Sequence, residues 1–85
     1  MEKSVHTQEY AILLRLLREI RESASITQVE LGRRLGQTQS YVSKFERGEI
    51  RLDVIQLRAI CGLLDTDLPT FIGKLEERLP RRRKR

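Results

Sequence analysis

The stretch "TQVELGRRLGQTQSYVSKFERGE", residues 27–49, decides how the chain folds. It opens with a capping box: Thr27 accepts from the amide of Glu30, and the Glu30 side chain reaches back to the Thr27 amide. Leu31 and Leu35 follow on the inner face of this helix, and Gly36 ends it as a C-cap residue. Thr38 is an N-cap for the next helix, which runs to Arg47 with Gly48 past its end. Of its large apolar residues only Val42 and Phe45 share one inward direction. At about 100° per residue, Ser40, Ser43, Lys44 and Arg47 point the opposite way, and Gln39 sits at the exposed N-terminal end. A helix made only to fill a core would bury more, so its outer face is available for another task.

The spacing of the two helices restricts how they pack. Two short helices crossing steeply through a tight turn need three things. These are a small residue where the backbones approach, a flexible turn residue, and apolar anchors on both sides. With Gln28 as the first position, Leu31 is the fourth, Gly32 the fifth and Leu35 the eighth; Gly36 is the ninth, Val42 the fifteenth and Phe45 the eighteenth. That order meets each need; a plain helical hairpin with the same apolar period is the competing reading. The outer face of the second helix suits the major groove of double-stranded DNA. Glutamine pairs bidentately with adenine, lysine reaches guanine or a phosphate, and serine bonds base or backbone. The amide-rich start of the helix also favours phosphate oxygens.

Outward from this pair, the pattern stays helical. From Thr7 to about Glu22, Tyr10, Leu13, Leu14, Leu17 and Ile20 form one apolar stripe, which "ESAS" at 22–25 interrupts. "EIRL" at 49–52 is a connector. Asp53 and Gln56 then form a second capping box, opening a helix that turns Val54, Leu57, Ile60, Cys61 and Leu64 inward. Asp67 caps a last helix, with Pro69 in its first turn. It carries Leu68, Phe71, Ile72, Leu75 and Leu79, and Pro80 stops it. The expected fold is all-α: a compact five-helix bundle over residues 1–80, with a basic, disordered tail at 81–85.

Composition narrows the function. At 85 residues the chain fits one domain. Such a domain buries only about 60% of its unfolded surface, which leaves little for a deep enzyme pocket. Cys61 is the sole cysteine, so neither a disulfide framework nor a multi-cysteine zinc site forms within the chain. On the apolar stripe it reads as core filling. His6 has no Cys or His partner nearby for a metal, and Ser40 and Ser43 have no adjacent base for nucleophilic chemistry. No catalytic constellation and no cofactor or small-molecule substrate is expected. No apolar run approaches the roughly 20 residues of a membrane span, and the N-terminus lacks a signal-peptide core, so a cytoplasmic location is expected. Residues 1–80 hold twelve basic and twelve acidic residues, so "RRRKR" at 81–85 supplies the whole net charge of +5. The tail reads either as a solubility tail or as a phosphate-seeking arm.

In "TQ-x-EL", in the Gly–x–Thr–Gln turn at 36–39 and in "FERGE" at 45–49, the chain resembles the lambda-repressor-like, Xre-type helix-turn-helix domain. The motif spans about 28–47, and a looser likeness extends from about Leu13 to Leu75. The resemblance implies a five-helix fold and a DNA-binding role. It implies that Gln39, Ser40 and Lys44 face base edges, and that Gln28 touches a phosphate and buttresses Gln39. It sets Ser43 and Arg47 beside the sugar–phosphate backbone, and Tyr41 against a phosphate or a thymine methyl. Arg51, in the loop after the reading helix, contacts phosphate or is simply solvated. Gly32 departs from the commoner alanine, at a cost to its helix of up to ~1 kcal/mol, while remaining small enough for the crossing. The tail is not part of the family domain.

Helical wheels put Arg21 beside Leu14 and Leu17, and Glu46 beside Val42; with the family's habit of pairing these positions, a partly buried Arg21–Glu46 ion pair is expected. The combined expectation is a sequence-specific transcriptional regulator, prokaryotic or phage-like. It would act as a homodimer through helix 5, the Phe71–Leu79 surface, on half-sites about one helical turn apart. The alternative is an antitoxin-type interaction module that binds a toxin and controls its own operon.

Overall fold

A computed structural model describes residues 7–80. The chain forms five helices in order: α1 Gln8–Ser23, α2 Gln28–Leu35, α3 Gln39–Glu46, α4 Val54–Leu63 and α5 Leu68–Arg78. No strand occurs among the described residues. The charged tail at 81–85 and His6 lie outside them.

Each helix starts on a side-chain cap. Thr7, Thr27, Thr38, Asp53 and Asp67 accept from the third amide onward, at 2.7–3.1 Å. Only the Asp53 cap is reciprocal, with Gln56 Oε1 accepting from the Asp53 amide at 2.8 Å. The return half of the box expected at Thr27 does not form. The Glu30 carboxylate instead takes Arg33 Nη2 at 2.6 Å and Arg34 Nε at 2.8 Å. The bond from Arg33, and then that from Arg34, hold its carboxyl down at about 2. A guanidinium three or four residues on along the helix outcompetes a neutral backbone amide for a carboxylate.

Three of the joints share one design. Ser25, Gly36 and Asp65 take left-handed backbone angles (φ 59°, 70° and 63°), and each stands two residues before the next N-cap. The left-handed residue ends one helix and redirects the chain, and the cap starts the next. The joint between α3 and α4 is longer, and Tyr10 anchors it from α1. The Tyr10 hydroxyl accepts from the Leu52 amide at 3.0 Å, and the Arg51 guanidinium lies 4.3 Å from the Tyr10 ring centre.

The core draws on every helix. Leu17, Leu31, Val42, Phe45, Ile60 and Phe71 are all essentially sealed from solvent. Leu16, absent from the expected α1 stripe, is buried as well. The reason is that α1 packs on both α3 and α5, so one stripe is too narrow to serve two neighbours. Val54 is a correction: it stands 59% exposed in the first turn of α4, beside Ile55 at 71%. A residue at a helix start overhangs the core rather than entering it. The Phe71–Leu79 surface, expected to pair two protomers, offers little free apolar area. Phe71 and Leu75 are buried and Leu68 and Leu79 pack against the core, which leaves Ile72 at 36% exposure.

Gly32 sits closer to its neighbour than expected. A Cβ built there would stand 2.8 Å from the Thr38 carbonyl oxygen and 2.9 Å from its carbon. Both are backbone atoms of the turn into α3, so relief requires the two helices to part. An alanine side chain is therefore too large at this crossing. Gly32→Ala is expected to lower stability by roughly 1–3 kcal/mol through overpacking, despite alanine's higher helix propensity. Urea denaturation of the two proteins checks this; a stabilised variant would show that the crossing opens freely.

Candidate nucleic-acid interface

The outward side of α3 is built by what its inward side buries. Val42 and Phe45 are fully enclosed, so Gln39, Ser40 and Lys44 stand exposed on the far side. The side chains of Ser40 and Lys44 make no hydrogen bond or ion pair among the described residues. Their donors and acceptors are open to a ligand.

Gln39 is held differently. Its Nε2 donates to Gln28 Oε1 at 2.7 Å, and Gln28 Nε2 donates to Glu46 Oε1 at 2.8 Å. Glu46 in turn is gripped by Arg21 through Nε at 2.6 Å and Nη2 at 3.1 Å. Arg21 spends its remaining reach on the Ile26 carbonyl, from Nη1 at 2.8 Å. The side chains of Arg21 and Glu46 are only 8% and 5% exposed, so this is a buried, hydrogen-bonded pair. The ion pair expected from the helical wheels is present. The bond between Gln28 and Gln39 matches the buttress expected there, while the link from Gln28 to Glu46 is an addition to that expectation.

The polarity of this relay follows from its buried end. An ionised carboxylate only accepts, so Gln28 must turn its amide nitrogen toward Glu46. Its oxygen then faces Gln39, which must answer with its own nitrogen. Gln39 is left with a carbonyl oxygen and one amide hydrogen directed outward. That is the acceptor–donor pair that matches adenine N6 and N7. A charge sealed beneath the helix thus sets which way the exposed Gln39 amide faces.

The remaining expected residues divide. Ser43 and Arg47 come together, with Arg47 Nη1 donating to Ser43 Oγ. The Arg47 fork also meets Glu49, through Nε to Oε2 at 2.8 Å and Nη2 to Oε1 at 3.2 Å. Glu49 was not singled out by sequence; its position two residues after Arg47 was the available signal. Tyr41 is turned away from the outward face. Its ring meets Phe45 edge-on at 5.5 Å, and its hydroxyl takes a long bond from Gln56 Nε2 at 3.4 Å. It is half-buried against the core. Arg51 is exposed but lies over Tyr10, at the far end of the anchored loop.

Among the described residues, no group of His, Cys, Asp and Glu is placed to hold a metal ion, and no helix is long and apolar enough to cross a membrane. Cys61 is buried on α4, where desolvation, and then the nearby Asp67 charge, raise its thiol pKa.

The helix-turn-helix family profile matches residues 17–71. Among solved structures, the chain is similar to an XRE-family like protein from Pseudomonas syringae pv. tomato str. DC3000. The two are 47% identical with a TM-score of 0.81, over 91% of this chain and 94% of that one. No curated protein matches the chain.

Removing one member of the buried pair leaves the other charge desolvated and uncompensated. Arg21→Ala is expected to cost on the order of 3 kcal/mol. A thermal or urea midpoint unchanged within error would mark the pair as a solvated contact instead.

Proposed function

Because this chain belongs to the XRE-type helix-turn-helix family, whose members are DNA-binding regulators and not enzymes, we propose that it controls transcription by reading a specific DNA sequence with α3 in the major groove. Gln39, Ser40 and Lys44 take the base edges. Gln28, Ser43, Arg47 and Arg51 lie along the flanking phosphates, and Tyr41 contributes by stiffening the helix against Phe45 more than by direct contact. The basic tail adds sequence-independent attraction. The observation that carries this reading is the relay from Arg21 through Glu46 and Gln28 to Gln39. It orients an exposed amide from a buried charge, a construction with no evident use in a merely solvated helix face.

A single reading module of this kind buries only about 600–1,000 Å² against DNA. Tight binding therefore favours two copies on half-sites about one helical turn apart. Helix α5 offers Ile72 to such a pairing, since its other large apolar residues serve the core.

Selection from a random DNA pool at physiological salt is expected to yield a two-fold symmetric site. Gln39→Ala should relax preference at one base pair per half-site by about 1–3 kcal/mol while retaining general DNA affinity. No enrichment from the pool would refute sequence-specific reading. Sedimentation at tens of micromolar should give a dimer that Ile72→Glu dissociates; a wild-type monomer would refute pairing through α5.

A further inference from the structure

The end of α3 places an acid at the border of the reading face. Gly48 adopts φ 84°, which an L side chain rarely takes, and its amide donates to the Phe45 carbonyl at 3.1 Å. The next amide, that of Glu49, donates back to the Lys44 carbonyl at 2.9 Å. This pair of bonds is a Schellman stop, and it fixes the backbone of Glu49 against the last turn. Glu49 therefore does not sit beside Arg47 by chance of rotamers alone.

From that position its carboxylate fills the Arg47 fork, at 2.8 Å and 3.2 Å. A guanidinium binds a carboxylate and a phosphate with the same two-pronged geometry. The third prong of Arg47 is on Ser43, the other residue expected beside the backbone. The bond from Arg47 keeps the Glu49 carboxyl below its ordinary pKa, so it stays ionised at neutral pH. Of the two candidate phosphate ligands at this end of α3, Arg47 is thus engaged with an anion of the protein itself, and Ser43 is engaged with Arg47.

We infer that Glu49 is an internal stand-in for a DNA phosphate, which occupies Arg47 and keeps sequence-independent binding weak. The inference rests on the DNA-reading function above. To contact the backbone, Arg47 must exchange one anion for another, so it adds little net attraction. Base contacts through Gln39 and Lys44 then make up a larger share of the affinity, and the ratio of specific to non-specific binding rises. The balanced charge of residues 1–80 fits this economy.

The test is binding of the full chain to a mixed-sequence duplex of about 20 base pairs across a salt series. Glu49→Gln frees the fork without altering the backbone stop. It is expected to bind several-fold tighter at low salt, with the log–log salt slope steeper by about 0.9, the increment of one added phosphate contact. In an Arg47→Ala background the same change should give a markedly smaller gain. Equal affinity and slope for Glu49→Gln and wild type would overturn the inference, and so would a gain independent of Arg47. If the wild-type chain retained no DNA under any salt condition, the DNA-reading function itself would fall, and this inference with it. A normal wild-type titration with an inert Glu49→Gln removes the inference alone.

Discussion

The arrangement of this small bundle hangs on the carboxylate of Glu46. It is sealed between α1 and α3, its charge is met by a two-pronged arginine, and its spare capacity is taken by a glutamine from α2. One group thereby ties side chains of three helices together. As a source of stability such a pair is unremarkable, since well-packed hydrophobic residues often do as well. What an apolar substitute would lack is direction. A carboxylate imposes an acceptor, the acceptor imposes an amide orientation, and the orientation is passed outward to the surface.

This also explains why α3 makes do with so little core. Val42 and Phe45 anchor it on one side, and the edge-on contact of Tyr41 with Phe45 braces a second. The ion pair holds a third edge where a hydrophobic residue would otherwise be needed. Three of the helix's eight residues thus serve packing and one serves the buried charge. The others remain on the outside. A short helix can present a polar face only because its neighbours α2 and α1, which bury Leu31 and Leu17, supply most of the apolar surface around it.

Much of this could be read from the sequence, because the signals are local. Thr27, Thr38, Asp53 and Asp67 announce helix starts by their own chemistry, and each is a cap in the structure. The inward turn of Val42 and Phe45 follows from helical period. What stayed hidden depends on distance in space. The Thr27–Glu30 spacing fits a capping box, but Arg33 and Arg34, three and four residues on, compete for the same carboxylate and hold it. The burial of Leu16 depends on α1 having two neighbours, and the tightness at Gly32 on how deeply two helices interpenetrate. Val54 fits an apolar period yet lies outside, since periodicity gives a direction on the helix but not the height at which the core begins. The Gln28–Glu46 bond joins residues eighteen positions apart, and no window of the sequence contains both ends with their orientation.

The solitary thiol has a practical implication. Cys61 has no exposed surface, and its burial disfavours the thiolate that reacts. An alkylating reagent added to the folded protein can modify it only in the brief intervals when α4 detaches from its neighbours. The rate of labelling therefore clocks those openings, and it does so with no engineered probe, at a position well inside the bundle and away from the outward face of α3.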